Sequence, residues 1–356
     1  NAQALIINGS MNVAQRSANA TGLTSSGYKS IDRFYTTLYY TSSNVGTFTQ
    51  SQSTDVPTGY GFANSLKMDC TTAQGSLPAS GQIAIRQSIE AQDLQLLKFG
   101  TANAEKFTIA FWVKSNLTGT YNVSLYNQDG GSTPQVNAQY SISSANTWEK
   151  KVLVFPKDTS NGFNDDNGPG LSIDWIMGTG STYTGGTAPT TWSAFVNNTF
   201  NGGSTVNMAS STSNEWLITG IQMEVGEYTS ATIPPFQHES FGDNLFRCQR
   251  YYFRTPVLQN QVFGTGFCSN SIVARGLFEN YQVMRSAPSI SKSSGTDFAV
   301  HQAASSTQTT GLDFYYITNK TSLWYATVSS GLTEGNGAIL IDDSGASAYI
   351  EASSEL

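Results

Sequence analysis

The sequence predicts an all-β protein made of a jelly-roll-type β-sandwich, a short linking helix and a second, smaller β-domain. Apolar residues alternate with polar ones along most segments, which is the two-residue period of a strand with one buried face. Turn signals rich in Gly, Ser, Asn and Asp separate these segments, as they do in β-sandwiches. Apolar residues recur at helical spacing near residue 245, and this is the stretch where we expect a helix.

The first 60 residues predict short or weak strands. The run Leu5-Ile6-Ile7 is apolar and is stopped by the turn pair Asn8-Gly9. Residues 28–40 are aromatic and β-prone, whereas residues 41–60 are rich in Ser, Thr and Gln. We therefore expect residues 41–60 to form a loop or a weak edge rather than a core strand.

The clearest predicted strand is Lys106–Lys114, in which Phe107, Ile109, Phe111 and Val113 occupy every second position. Tyr121, Val123 and Leu125 repeat this pattern after a turn-like segment at residues 116–119, so we expect a hairpin here. The other strands predicted in this region are Ser65–Cys70, Gln82–Ile89, Trp148–Phe155, Leu171–Met177 and Trp216–Val225. In the last of these, alternation places Leu217, Thr219, Ile221, Met223 and Val225 on one face.

A short helix is predicted to link the two domains. Its apolar stripe is Phe241, Leu245, Cys248 and Tyr252, and Ser240 is the expected N-cap because its hydroxyl can accept from a free first-turn amide. The predicted domains are 1–238 for the N-terminal β-sandwich, 239–254 for the linking helix and 255–356 for the C-terminal β-domain.

The C-terminal region predicts short strands in a polar context. Residues 291–311 are almost wholly polar, so the core is expected to be thin and easier to stabilise within an oligomer. The predicted strands are Gly264–Leu277, Phe314–Ile317, Leu323–Val328, Ala338–Ile341 and Ala348–Ile350.

Composition and charge exclude two classes of partner. Charged residues make up 12% of the 356 residues, and 18 Lys plus Arg against 25 Asp plus Glu give a net charge of −7. Without a basic cluster we expect no nucleic-acid partner. No apolar run approaches the roughly 20 residues of a spanning helix, so no membrane insertion is expected.

The three cysteines, Cys70, Cys248 and Cys268, lack the spacing of a metal or redox site. We expect reduced, buried thiols, with a Cys248–Cys268 bridge as the alternative. Reduced thiols fit assembly in a reducing cytoplasm.

The sequence does not indicate an enzyme. Glycoside hydrolysis needs two carboxylates across a cleft, but the pairs Asp165-Asp166 and Asp342-Asp343 both lie in segments that favour turns. His238 and His301 do not accompany a nucleophile motif, and His238 is expected to pack or hydrogen-bond near the domain junction.

No cofactor is expected, with one weak alternative. Asn164, Asp165, Asp166 and Asn167 offer several hard oxygens that suit a structural Ca²⁺, although their spacing does not match an EF-hand loop.

Four aromatic residues are candidates for sugar binding, because the C–H face of a pyranose stacks on an exposed aromatic ring. Tyr183, Trp192, Trp175 and Trp148 lie in or beside polar, Gly-rich segments. The alternative is that they are core or edge aromatics.

An ordered series of motifs resembles bacteriophage tail-fibre and virion structural proteins, over almost the whole chain. The motifs are NGSM at 8–11, AQR at 14–16, Tyr28, DRF at 32–34, FTIAFWVKS at 107–115, NTWEKK at 146–151, DDNG at 165–168, GTGSTY at 178–183, ITGIQMEVG at 218–226, PFQH at 235–238, CQRYY at 248–252, MRSAP at 284–288 and SSEL at 353–356. The resemblance implies a carbohydrate-binding-module-like β-sandwich and a small C-terminal β-domain on a trimeric phage appendage. The chain departs from the commoner pattern at Asp243-Asn244-Leu245-Phe246, where a Gly-Glu-Glu-Leu-type helix start is expected.

The function these observations favour is that of a non-enzymatic tail-fibre subunit, a homotrimer that recognises a host-surface glycan and contacts other virion proteins. The protein would then be located in the virion and assembled in the host cytoplasm. The Phe241, Leu245, Cys248 and Tyr252 stripe is the expected seam between copies, or else it packs on its own sandwich. One rival is a purely structural virion protein, such as a head fibre, decoration or adaptor protein. A polysaccharide-degrading tailspike is disfavoured by the lack of repeats and of a carboxylate constellation.

Overall fold

The chain divides into two compact units, Asn1–Asn244 with Leu356, and Leu245–Glu355. The structure, a computed structural model, describes residues 4–343, 345 and 348–356. The boundary between the units falls within helix α1 (Phe241–Gln249). As predicted, the Ser240 hydroxyl caps this helix, accepting from the Asp243 amide at 3.1 Å. The helix is shorter than the predicted linking segment, because Tyr252–Arg254 forms a strand.

The first unit is a β-sandwich, as predicted. Its strands are β1 (Asn19–Leu23), β2 (Gly27–Tyr28), β3 (Tyr35–Tyr39), β4 (Thr47–Ser53), β5 (Ser65–Thr72), β6 (Gln82–Glu90), β7 (Phe107–Ser115), β8 (Gly119–Asn127), β9 (Gln135–Ile142), β10 (Glu149–Phe155), β11 (Pro169–Thr179) and β12 (Glu215–Val225). Sheet A has the order β1-β4-β5-β12-β7-β10, and sheet B has the order β2-β3-β6-β11-β8-β9. Large side chains from both sheets fill the space between them, among them the fully buried Phe48, Phe107, Phe111, Trp175 and Trp216.

The predicted hairpin between β7 and β8 is wrong. β7 pairs with β10 and β12 in sheet A, whereas β8 pairs with β9 and β11 in sheet B. The connecting segment crosses from one sheet to the other and is fixed by local hydrogen bonds, from the Leu117 amide to the Ser115 hydroxyl and from the Tyr121 hydroxyl to the Leu117 carbonyl. Both strands bury their apolar face in the same core from opposite sides, so alternation alone gave no sign of the crossing.

A bulge in β12 overturns the predicted face of that strand. The pairing of β12 with β7 shifts register between Thr219 and Gln222, at Gly220, whose φ is +62°. A Cβ at this glycine would lie 2.5 Å from the Phe62 ring. The bulge exchanges the two faces, so that Trp216 and Ile218 before it and Ile221 and Met223 after it all belong to the core. Leu217 and Thr219 face the other way.

Strand β4 lies where a loop or weak edge was expected, and it is flanked in sheet A by β1 and β5. Its inward positions include the fully buried Gln50 rather than a second apolar residue. The Gln50 side chain accepts from the Ser30 amide at 2.7 Å and donates to the Thr36 hydroxyl at 2.7 Å. A polar residue that satisfies buried groups removed the alternation that would have predicted the strand.

The second unit contains a closed barrel and a three-stranded sheet. Its strands are β13 (Tyr252–Arg254), β14 (Val262–Cys268), β15 (Val273–Glu279), β16 (Ser289–Lys292), β17 (Phe298–Gln302), β18 (Ser305–Tyr315), β19 (Thr321–Val328), β20 (Gly337–Asp342) and β21 (Ile350–Ser353). The barrel has the order β14-β15-β19-β18-β17-β20, and the small sheet has the order β13-β21-β16. Trp324, Phe298 and Leu340 are fully buried in its core.

Two details of the second unit differ from expectation. The predicted strand Gly264–Leu277 is a hairpin, because β14 pairs with β15 antiparallel. The polar stretch 291–311 contains β17, where Phe298, Ala299 and Val300 are fully buried. The second unit is therefore a small β-domain, as predicted, but the closure of its strands into a barrel was not predicted.

The three cysteines are buried and in no disulfide, as expected, so Cys248 and Cys268 do not form a bridge. Burial raises the pKa of the Cys70 and Cys268 thiols, so these groups carry little thiolate at neutral pH. Among the described residues, no helix is long and apolar enough to span a membrane.

Candidate functional site

The outer face of sheet B is polar but nearly uncharged. Its central strands turn apolar side chains into the core and place small polar side chains on the other face, including the buried Ser88, Asn122, Ser124, Asn137 and Ser172. An ordinary solvent-facing sheet would carry long charged side chains here. Buried serines and amides indicate a face that is covered or that holds a ligand.

A long segment, residues 180–206, covers one part of this face. Side-chain amides of β8 and β9 fix it in place: Asn137 donates to the Phe200 carbonyl at 2.7 Å, and Asn122 donates to the Asn201 side chain at 2.8 Å. Phe200 and Tyr183 pack with Tyr126 into a small apolar cluster on the sheet. The segment is therefore a built cover rather than a free loop.

A groove remains open beside this cover, with a volume of about 430 Å³. We call it the sheet B groove, and it is lined by Gln82, Arg86, Tyr126, Gln128, Ser132, Thr133, Phe195 and Phe200. Phe195 is half-buried, and its ring lies 5.5 Å from that of Tyr126. One wall is thus aromatic, and the remaining lining residues carry hydrogen-bonding groups.

Arg86 is the charged residue of the groove, and Asp174 holds it in place. Arg86 Nε and Nη2 donate to the two Asp174 carboxylate oxygens at 2.9 and 2.8 Å, so the pair is bidentate. Asp174 is 1% exposed, whereas the Arg86 side chain is 32% exposed. The coulombic interaction with Asp174 raises the pKa of Arg86 further above its ordinary value and outweighs the opposing effect of burial. The ion pair therefore holds the Arg86 guanidinium in place at the groove, and the Asp174 carboxylate balances its charge.

Arg86 retains unused donors that face the groove. Its two hydrogen bonds to Asp174 use two of the five side-chain N–H groups, and the side chain makes no other hydrogen bond within the described part of the chain. Its guanidinium carbon lies 5.9 Å from the centroid of the Tyr126 ring. An aromatic wall next to fixed donors and neutral amides suits a ligand with both C–H faces and hydroxyl groups.

Three of the four predicted sugar-binding aromatics lie elsewhere than expected. Trp175 is fully buried in the sandwich core and cannot present a face to a sugar, so that expectation is wrong. Tyr183 is 7% exposed and packs on Phe200, because the segment that carries it folds onto the sheet. Trp192 is half-buried, donates from Nε1 to the Pro156 carbonyl at 2.7 Å and packs against Phe99. The alternative interpretation as core or edge aromatics describes all three.

Trp148 is the fourth of these residues, and it lies outside the groove. It immediately precedes β10, in sheet A. Its side chain is half-buried, and Nε1 donates to Asp55 Oδ1 at 2.9 Å. Trp148 therefore stays a candidate, but on a different surface.

The residues that form the groove were not singled out from the sequence. A signal was nevertheless present, since Arg86 and Tyr126 alternate with apolar core residues along β6 and β8. Asp174, the partner of Arg86, does the same along β11. Phe195 carries no such signal, because only the folding of residues 180–206 onto the sheet brings it to the groove.

The calcium candidates lie in an exposed turn. Asn164, Asp165, Asp166 and Asn167 are all exposed, and Asp166 Oδ1 accepts from the Gly168 amide at 2.8 Å. Across the described ranges, no three His, Cys, Asp or Glu side chains converge in a way that could hold a metal ion. These contacts correspond to turn chemistry.

The predicted seam is not one open stripe. Phe241 is 59% exposed and Leu245 is half-buried, but Cys248 and Tyr252 are 0% and 3% exposed. The last two residues are unavailable to a second copy in this structure, so the seam as predicted is wrong for them. Phe246, also 59% exposed, accompanies Phe241 on the surface instead.

Comparison with known proteins gives weak structural likenesses. No family model and no curated protein matches the chain. The enzymatically active domain of tailspike protein 4 from bacteriophage CBA120 is similar at 14% identity and a TM-score of 0.31, over 62% of this chain and 21% of that chain. The CBM22-1 xylan-binding domain from Paenibacillus barcinonensis is similar at 11% identity and a TM-score of 0.29, over 61% of this chain and 100% of that one. The family 11 carbohydrate-binding module from Clostridium thermocellum is similar at 11% identity and a TM-score of 0.27, over 59% of this chain and 96% of that one. Likenesses this weak establish neither a family nor a function.

Proposed function

We propose that this chain is a non-enzymatic subunit of a phage virion appendage, a tail fibre, and that its sheet B groove binds a glycan of the host surface. The observation that carries the proposal is an aromatic wall, in which the half-buried Phe195 packs on the buried Tyr126, next to the fixed donors of Arg86 in one open groove. A pyranose offers a C–H face to the Phe195 ring and hydroxyls to the donors.

The polar groups of the groove are suited to binding rather than hydrolysis. Both oxygens of Asp174 accept from Arg86, and the carboxylate is 1% exposed, so it is poorly placed to serve as an acid or nucleophile. Gln82 and Gln128 contribute neutral amides, which donate to and accept from hydroxyl groups alike. This lining supports binding of a glycan without its hydrolysis.

The phage setting is supported by the ordered motif resemblance along the chain. A single groove of this size implies modest affinity, and a homotrimer present in several copies per virion would bind by avidity. We therefore place the protein in the virion, in contact with other virion proteins, after assembly in the host cytoplasm.

A purely structural virion role remains the second candidate, and one observation favours it. The barrel of the second unit carries exposed apolar side chains on its outer face, where Phe267 is 45%, Leu277 49% and Tyr315 49% exposed. Register places Leu277 of β15 and Tyr315 of β18 both opposite Leu323, so they flank β19 on its two sides. Such a surface suits contact with another protein.

Phe195→Ala is expected to weaken glycan binding by up to about tenfold, because one aromatic contact contributes about 0.5–1.5 kcal/mol. Gln128→Ala is expected to have a smaller effect in the same direction, through the loss of one hydrogen bond. The measurement is binding to an array of bacterial envelope polysaccharides, followed by calorimetry on the best binder.

The matched control is Val196→Ala. Val196 is adjacent to Phe195 and 50% exposed, but it does not line the groove. Equal losses in both variants, or a wild-type chain that binds no envelope glycan, would remove the proposal and favour the structural role. Released sugar during incubation with the polysaccharide would instead indicate a degrading spike.

The native mass of the purified chain is expected to be three times its 38.3 kDa, because the proposed avidity requires a trimer. Light scattering at micromolar concentration measures it directly. Phe246→Ser tests whether this ring, which is 59% exposed, contributes to the contact between copies. Val196→Ser is its control, because Val196 is 50% exposed and belongs to the other unit. A monomeric wild-type chain would contradict the proposed trimer and favour the role of a decoration or adaptor protein.

A further inference from the structure

A second surface with aromatic and polar groups lies on sheet A. Trp112 and Lys114 occupy alternate positions of β7 on the same face of the sheet. Trp148 adjoins them, because β10 pairs with β7 antiparallel through Glu149 opposite Val113. Phe111 and Val113, on either side of Trp112 in the chain, are fully buried in the core, so Trp112 and Lys114 face outward.

The segment between β4 and β5 presents a tyrosine to this surface. Tyr60 lies between Gly59 and Gly61, whose φ angles are +87° and +79°, a conformation that glycine adopts without strain. His238 Nε2 lies 3.2 Å from the Tyr60 carbonyl oxygen and holds the backbone. The Tyr60 side chain is 55% exposed, and its ring centroid lies 4.3 Å from that of Trp112 at an angle of 48°. The two rings form a bent aromatic platform.

A positioned carboxylate adjoins the platform. Asp55 accepts from Trp148 Nε1 at 2.9 Å and from Lys114 Nζ at 2.6 Å, one donor for each oxygen, and its side chain is 42% exposed. Burial alone would raise the pKa of Asp55, but the hydrogen bonds from Lys114 and Trp148 outweigh that effect and lower it. Asp55 therefore stays ionised at neutral pH, with accessible lone pairs that can accept from hydroxyl groups.

We infer that Asp55, Tyr60, Trp112, Lys114 and Trp148 form a second glycan-binding surface, which takes one neutral pyranose residue on the Tyr60 and Trp112 rings. We call this set the Trp112 surface. The rings stack on the C–H face of the sugar, and Asp55 accepts from its hydroxyls. Because Lys114 neutralises Asp55, the surface carries no net charge with which to select an acidic sugar.

The Trp112 surface is independent of the sheet B groove. It lies on the other sheet of the sandwich, and none of its residues lines the groove. A purely apolar patch for protein docking would not need an exposed carboxylate held by two donors at its rim. The presence of that carboxylate favours a ligand that carries hydroxyl groups.

Tryptophan fluorescence reports on this surface through Trp112 and Trp148, because Trp175, Trp216 and Trp324 are fully buried. The remaining tryptophan, Trp192, is half-buried and packs elsewhere, against Phe99. Titration of the full chain with cellohexaose, chitohexaose and maltohexaose is expected to change the emission with at least one of them. Tyr60→Ala is expected to weaken that sugar about tenfold, or about 1.4 kcal/mol. Trp112→Phe is expected to remove most of the emission change while it keeps an aromatic ring in place.

Two variants keep the result interpretable. Phe195→Ala is expected to leave the emission change intact, so that failure of the groove and failure of this surface are distinguishable. Asp55→Asn is expected to weaken binding without unfolding, which the melting temperature verifies. No Tyr60-dependent emission change with any of the three sugars would overturn the inference. A Tyr60→Ala variant that alters the native mass and not the sugar response would overturn it in favour of a protein interface.

Discussion

Replacing Arg86 with leucine is expected to lower the free energy of unfolding by about 3–5 kcal/mol. The reason is Asp174, which is 1% exposed and is held by two hydrogen bonds from the Arg86 guanidinium. Without Arg86, a buried carboxylate must stay charged without its partner or take up a proton. Urea denaturation of the full chain, followed through the transition of the sandwich unit, measures the loss.

The double variant Arg86→Leu/Asp174→Leu is the control for the single variant. Removing both charges is expected to recover most of the loss, since no unpaired charge then remains buried. Glycan binding should stay weak in the double variant, because the donors of the groove are gone although the fold is restored. If Arg86→Leu were as stable as the wild type, the pair would not hold the groove as the structure indicates.

Trp175→Ala is expected to destabilise the sandwich by about 3–5 kcal/mol, the cost of a large cavity in a packed core. Trp175 is fully buried, and its ring lies 6.1 Å from Phe111 and 6.4 Å from Phe34. Glycan binding per folded molecule should not change, because the ring reaches no surface. Calorimetry below the unfolding transition, compared with denaturation by urea, separates the two effects.

Trp175→Phe provides the graded control. It keeps most of the ring volume, and Nε1 of Trp175 has no hydrogen-bond partner within the described residues, so no polar contact is lost. The expected loss is therefore smaller, about 1–2 kcal/mol. A variant that binds glycan more weakly at unchanged stability would show that Trp175 takes part in recognition and that the core assignment is incomplete.

The two proposed glycan surfaces have a common consequence for attachment. They lie on different sheets of one sandwich, so a trimer would present them in several directions. Binding at one would raise the effective concentration of envelope glycan at the others. Loss of either set of aromatic contacts is then expected to reduce adsorption to cells by more than it reduces the affinity of one site.

The sequence predicted those strands whose burial follows a strict local period. β7, with four apolar residues at alternate positions, and β19, in which every second residue is buried, were predicted to within two residues. The helix N-cap at Ser240 was also readable, because a hydroxyl and the amide three residues later interact locally. These features depend on neighbours in the chain, and the chain order contains that information.

The tertiary structure alone decided which strands pair and what covers them. β7 and β8 are adjacent in sequence and yet lie in different sheets, and a bulge at Gly220 reverses the face that alternation assigned to half of β12. Trp175 and Phe195 are two further residues whose exposure could not be predicted from the local sequence. One aromatic beside a Gly-rich segment is buried by a second sheet, and the other reaches a groove because distant amides of β8 and β9 hold residues 180–206 on sheet B. Local periodicity reports that a residue has a buried or an exposed side, but the partner that buries it can be many residues away, and only the folded chain selects that partner.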